Sequence, residues 1–167
     1  MKKLSLVLAI GLGLVLMAGR AFAASDGKPL TVNATVSARA TLTLGAASIS
    51  FVDADPDATP SIASSPASVS VTAKVRTGAA STATLTHLAG GDLVSGTDNI
   101  AISNVTWTAS GVGFVAGTMN KTTAQTAASW TGSGSHTDGL FSYFLANSWS
   151  YATGNYTASS TYTLTAP

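Results

Sequence analysis

The chain has 167 residues, of which 46% are hydrophobic and only 9% are charged, and its formal net charge is +1. The apolar content argues against a disordered chain, and the length fits one domain. The absence of cysteine excludes disulfides, and the lack of a basic patch makes nucleic acid a poor candidate partner.

Residues 1–23 have the pattern of a secretory signal peptide. Lys2 and Lys3 precede an apolar run at residues 4–17, and the tripeptide at residues 21–23 matches an A-x-A cleavage site. The apolar run is shorter than the roughly 20 residues that a membrane-spanning helix needs. We therefore expect an exported protein that does not span a membrane. Removal of the three basic residues of this segment takes the formal charge from +1 to −2.

Residues 30–44 alternate between apolar and polar side chains. The apolar positions of the first part are Leu30, Val32, Ala34, Val36 and Ala38. A period of two places them on one face of a β-strand. Because the whole run would span about 50 Å, roughly twice the usual strand length or more, it either bends between two sheets or pairs in part with another molecule. Arg39 divides it into an N-terminal extension, residues 24–38, and a β-sandwich domain, residues 39–167.

Period-two alternation between turn signals predicts further strands along the chain. They cover residues 48–52, 68–76, 81–88, 100–108, 140–145 and 155–165, and a turn-rich loop is predicted from residue 53 to residue 66. Residues 140–145 are apolar at nearly every position, which predicts a central strand buried on both faces. Residues 119–128 are the one segment with helical character, and residues 132–135 are predicted as a loop. The predicted fold is an all-β, immunoglobulin-like antiparallel β-sandwich, open to completion by a donor strand.

Both ends of the predicted sandwich resemble a known family. The matching pieces are residues 30–44, residues 49–51, and the C-terminal run in which Tyr156, Tyr162 and Leu164 alternate with hydroxyl side chains. They resemble Gram-negative chaperone–usher fimbrial subunits, and most closely the spore-coat-U-like branch of secreted subunits. Many such subunits carry a disulfide near the first strand, whereas this chain has no cysteine.

The resemblance implies assembly by β-strand addition, in which the N-terminal extension of one subunit fills a groove in its neighbour. The donor residues would be Leu30, Val32, Ala34, Val36 and Ala38, and the residues bordering the groove would be Tyr156, Tyr162 and Leu164. The implied partners are further copies of the chain in a homopolymer, a periplasmic chaperone and an outer-membrane usher. The implied location is the cell surface, a fimbria or the extracellular space, with the periplasm as an alternative. No cofactor is expected.

A different interpretation keeps the chain monomeric. Residues 30–44 would then be one bent edge strand that crosses between the two sheets of a complete sandwich. Under this alternative the protein is a secreted, lectin-like binding domain for glycans or surfaces. Trp130, Trp149 and Tyr151 are the aromatic side chains available to stack on sugar rings, whereas Trp107 is expected to fill the core.

Few residues have a pattern that fits catalysis or metal binding. Asp53, Asp55 and Asp57 have a spacing at which carboxylates converge on Ca²⁺, but the loop lacks the glycine and the glutamate of an EF-hand. An acidic, solvated turn is the simpler interpretation. His87 and His136 have no metal-binding spacing, and no nucleophile motif of the G-x-S-x-G type is present. We therefore expect a protein that is not an enzyme.

Overall fold

The structure is a computed structural model that describes residues 24–167, so the predicted signal peptide lies outside the described residues. The strands are β1 (Arg39–Leu44), β2 (Ser50–Phe51), β3 (Ser61–Ser65), β4 (Val69–Arg76), β5 (Thr82–Ala89), β6 (Leu93–Ser95), β7 (Asp98–Ile100), β8 (Val105–Ser110), β9 (Gly117–Thr118), β10 (Gln125–Thr131), β11 (Gly134–Ala146) and β12 (Ser160–Thr165). A short 3-10 turn at Ile102–Asn104 precedes β8. Within residues 24–167, no helix is long and apolar enough to cross a membrane.

Ten of these strands form two antiparallel sheets. In the first sheet, β11 is central: β4 and β3 pair with successive parts of it, β8 pairs with its other side, and β1, β2 and β9 extend the sheet. The second sheet has the order β10-β5-β12, and β6 and β7 form a separate hairpin. The predicted all-β class is confirmed. The finer immunoglobulin-like topology stays a prediction.

The core is formed by the inward side chains of alternating strand residues. Val71 and Ala73 on β4, Leu85 on β5 and Phe141 on β11 are fully buried, while the residues between them face outward. Trp107 on β8 is also a core residue, as expected from its sequence. Gly117 lies against the Trp107 ring, at a place where any Cβ would overlap the indole.

Strands β3 and β10 occur where the sequence predicts a loop and a helical segment. The loop prediction is correct for residues 53–60 and wrong for β3, and the helical prediction is wrong. The physical reason is the same, because each strand gains backbone hydrogen bonds by pairing with a distant strand. β3 pairs with β11, and β10 pairs with β5. In β10, a register shift places the neighbouring Ala127 and Ala128 both in the core. Tertiary pairing overrides weak local preference here.

Strand β11 also differs from its prediction. It begins at Gly134, inside the predicted loop, and extends over 13 residues. Phe141, Tyr143 and Leu145 are buried, whereas Leu140 is exposed. The central position is therefore correct and the burial of both faces is wrong, because the outer face of the first sheet is open along β11.

Candidate functional site

The second sheet ends at the C-terminal strand, β12. It pairs with β5 from Ser160 to Thr165, and in the described part of the chain no strand pairs with its other side. β12 therefore presents an edge of backbone N–H and C=O groups to which another strand can add. The predicted strand covered residues 155–165, whereas β12 begins only at Ser160. Tyr156 therefore lies in the loop before the strand.

Tyr162 anchors β12 to the core. Its ring stacks on Phe141 with the centroids 5.7 Å apart, and its centroid lies 4.7 Å from that of His87. The hydroxyls of Tyr162 and Tyr143 share a hydrogen bond of 2.5 Å that joins the two sheets. Burial raises the pKa of both phenols, so both are protonated at neutral pH.

An apolar seam between β12 and the edge strand β1 is incompletely covered. We use the name seam for five half-buried apolar residues on β1, β12 and the segment that ends with β2, all packed against the core: Leu42, Ile49, Phe51, Tyr162 and Leu164. By contrast, the inward Leu85 on the neighbouring strand β5 is fully buried. The seam side chains therefore keep apolar surface that a further strand beside β12 would cover.

A cavity of about 980 Å³ continues the seam at the start of β12. Core side chains form its apolar lining: Ile62, Ile100, Ile102, Val105, Met119 and Leu145. The lining also includes Phe51, which belongs to the seam, Tyr156, and Ser160, the first residue of β12. We call the seam and this cavity together the groove. These core side chains lie beside polar loop residues such as Asp53, Asn147 and Ser148, so the apolar part of the groove is what fits apolar side chains.

The N-terminal segment has the complementary pattern. Residues 24–38 form no helix or strand, and the alternating side chains of Leu30, Val32, Ala34, Val36 and Ala38 are all exposed. The exposure of Leu30 is 86% and that of Val32 is 82%. The single bent strand over residues 30–44 is therefore not observed, since only β1 pairs with β4. Exposed apolar alternation of this kind is typical of a segment that pairs elsewhere.

Strand pairing stops at Arg39 for a structural reason. Arg39 is opposite Arg76, the last residue of β4, so the residues before Arg39 have no further partner on β4. Two like charges opposite each other also weaken pairing at this end. The Arg76 Nε donates a hydrogen bond of 2.8 Å to the Ser37 carbonyl, which holds the chain where it leaves the sheet.

The aromatic residues proposed for glycan contact lie in different environments. Trp130 is only 6% exposed, and its ring stacks on His136 with the centroids 4.3 Å apart, so burial argues against a role in sugar binding. Tyr151 is half-buried and donates a hydrogen bond to the Ala146 carbonyl. Trp149 is 71% exposed and is the member of the group that presents a free ring.

The acidic loop does not gather its carboxylates at one point. The Asp55 side chain accepts a hydrogen bond from the Asp57 backbone N–H, and the Asp57 side chain accepts one of 3.2 Å from the Trp149 indole N–H. No cluster of three or more acidic or histidine side chains in residues 24–167 is arranged to hold a metal ion, including the predicted set with Asp53. The loop thus orients Trp149 through the Asp57 carboxylate.

Sequence reasoning missed His87, which is fully buried beside Tyr162. Neither ring nitrogen has a hydrogen-bond partner within residues 24–167, and burial lowers the pKa of His87 to about 4. Its inward position follows from the same alternation that buries Ala83 and Leu85, so this part of the signal is present in the sequence. The cavity lining was missed as well, because its residues come from separate loops and strands.

Comparison of the chain with protein-family models, with curated proteins and with solved structures finds no match. The functional interpretation therefore depends on the groove and on the N-terminal segment.

Proposed function

We propose that the protein is an exported structural subunit of a surface fibre or coat and that it assembles by β-strand addition. Residues 30–38 of one copy would lie along β12 of the next copy and fill its groove. The observation that carries this proposal is that one chain combines an open sheet edge over an apolar groove with an exposed, alternating apolar segment.

Two physical terms favour this addition. The open edge of β12 offers backbone hydrogen bonds, and the groove removes the large donor side chains from water. Burial of a leucine or valine side chain is worth about 1.5–3 kcal/mol. Leu30 and Val32 are almost fully exposed, so most of this stabilisation is still to be gained. The alternation also defines the register, because a shift by one residue would place the polar side chains of Thr31, Asn33 and Thr35 in the groove.

Chain connectivity favours a neighbouring copy as the acceptor. Residue 38 leads directly into β1, so a donor that folded back on its own sandwich would need a reversal near Arg39. Of the residue types that favour tight turns, residues 37–39 contain only Ser37 and no glycine, proline, asparagine or aspartate. Donation to another copy requires no such turn.

Before assembly the groove needs a temporary cover, because exposed apolar grooves and open edges promote aggregation. A periplasmic chaperone would supply this cover, and an outer-membrane usher would order the addition of subunits. These partners, the fibre or coat and the surface location are part of the proposal. None of these roles requires a catalytic group.

The test compares two faces of the donor segment. We expect the mature chain, residues 24–167, to form polymers by light scattering and electron microscopy, and deletion of residues 24–38 to abolish them. Val32→Asp should also abolish them, because it places a charge in the groove. The matched control Thr31→Asp lies on the opposite face and should polymerise. A wild-type chain that stays monomeric at high concentration, or equal polymerisation of both variants, would contradict the proposal.

Trp149 supports a second candidate function, the binding of a neutral glycan. Its exposed ring is held by the hydrogen bond to Asp57, and a fixed aromatic ring is suited to stacking on a sugar. We expect Trp149→Ala to lose glycan-array binding while its far-UV circular dichroism stays unchanged. Tyr151→Phe is the matched control, since it keeps the ring. Absence of binding by the wild-type protein, or equal binding by Trp149→Ala, would contradict this second candidate function.

A further inference from the structure

His87 is a polar side chain at the centre of the second sheet. It lies on β5, between β10 and β12, and is 0% exposed. A neutral imidazole carries one donor and one acceptor, yet neither nitrogen of His87 has a hydrogen-bond partner among the described residues. Buried polar groups normally have partners, so this position calls for a physical explanation.

The surroundings of His87 are aromatic and uncharged. The Trp107 ring from β8 lies 5.4 Å away and the Tyr162 ring from β12 lies 4.7 Å away, centroid to centroid. Gln125 is its register neighbour on β10. The titratable groups on this side are the phenol of Tyr162 and, behind it, that of Tyr143 on β11. Burial alone accounts for the lowered pKa of His87, with no contribution from a charged neighbour.

We propose that His87 makes β12 an acid-released strand: protonation of its imidazole opens β12 from β5 while the first sheet remains folded. A cationic imidazole at this position would be a buried charge without a partner, which is far more costly than the neutral ring. Water reaches the ring most easily if β12 lifts away with Tyr162. β12 is six residues long and pairs on one side only, so its opening breaks the pairing with β5 and the contacts of Tyr162 with Phe141 and Tyr143 but no strand pairing of the first sheet.

The direction of the pH effect follows from proton linkage. The pKa of His87 is about 4 with β12 closed and about 6.5 when the ring is in water. The open strand therefore binds more protons, so the closed strand has its full stability above about pH 6.5 and loses it as the pH falls toward 4. Between pH 7.5 and pH 4.5, the opening equilibrium constant of β12 should rise about 70-fold.

Acid release has a consequence for assembly, because β12 is the proposed acceptor edge. A subunit with an open β12 could not receive a donor strand. This consequence rests on the proposed function, whereas the release of β12 does not.

The test is hydrogen exchange with mass spectrometry at pH 7.5 and pH 4.5. The mature chain carries Val32→Asp in every variant, so that no inserted donor protects β12. The measured quantity is the protection of residues 160–165 relative to residues 69–76 after correction for intrinsic exchange rates. In the chain that carries only Val32→Asp, this ratio should fall about 70-fold from pH 7.5 to pH 4.5. In the chain that also carries His87→Phe, it should fall less than about threefold. His136→Phe, which changes the other histidine, should retain the full response.

His87→Gln provides a second neutral variant in case His87→Phe does not fold. Equal loss of protection in β4 and β12, or a response that persists when His87 is replaced, would overturn the proposal. So would the absence of any pH response in the parent chain. Because the Val32→Asp chain does not depend on assembly, failure of the proposed function would appear only in the polymerisation assay and would leave this result unchanged.

Discussion

The two edges of the second sheet end in different ways. Along β10, residues 113–115 form an additional partner: the Val115 N–H donates to the Ala127 carbonyl and the Ser129 N–H donates to the Gly113 carbonyl, both at 2.9 Å. Along β12, no such segment is present among the described residues. The fold thus protects one edge from pairing with another chain and leaves the other edge available.

The covered edge depends on a specific local structure. Gly111 and Gly113 have φ angles of +103° and +84°, which side chains other than glycine rarely adopt. A Cβ at Gly113 would overlap the Trp130 indole, and the indole N–H donates a hydrogen bond of 2.7 Å to the Val112 carbonyl. Closing an edge therefore requires a dedicated segment and a buried aromatic residue. The seam beside β12 has only half-buried side chains, which is why we assign the intermolecular role to it.

Substitutions of two paired leucines compare the covering of side chains on β12 with that in the interior of the second sheet. Leu85 and Leu164 are register partners on β5 and β12, but Leu85 is fully buried and Leu164 is half-buried. We expect Leu85→Ala to lower the free energy of unfolding by about 3 kcal/mol, because it leaves a cavity. Leu164→Ala should cost only about 1 kcal/mol, because much of its side chain already contacts water. Urea denaturation of the Val32→Asp monomer, followed by tryptophan fluorescence, checks both values.

The control for this pair is Thr163→Ala on the outer face of β12, which should change stability by less than about 0.5 kcal/mol. Equal losses for the two leucine variants would show that the β12 edge is as well covered as the interior, and the contrast between the edges would fail.

The sequence predicts the faces of the strands well, because the direction of a side chain depends on local backbone geometry. Val71 and Ser70 on β4 lie on opposite faces, as the alternation predicts, and so do Tyr162 and Thr163 on β12. The same pattern places His87 inside.

The sequence does not predict the groove, because the open edge results from pairing between distant segments. β12 pairs with β5, and residues 113–115 cover β10, across separations that no local pattern encodes. Trp130 and Trp149 illustrate the same limit. Both occur among polar residues, yet one is stacked beneath His136 and the other is exposed. The absence of partners around His87 is likewise a property of the assembled core.

The hydrogen bond between Tyr143 and Tyr162 tests how firmly β12 is held on its closed side. Tyr143→Phe or Tyr162→Phe should each lower the free energy of unfolding by about 1–2 kcal/mol, because each leaves one buried hydroxyl without a partner. The double variant should cost little more than either single variant, since no unpaired hydroxyl remains. Denaturant unfolding of all four chains gives the coupling energy, expected to be about 1 kcal/mol. Additive losses would mean that the two hydroxyls do not depend on each other, and β12 would then be held by ring stacking and backbone pairing alone. The expected coupling would show that the hydroxyl pair contributes to the attachment of β12 through Tyr162, the ring that also covers His87.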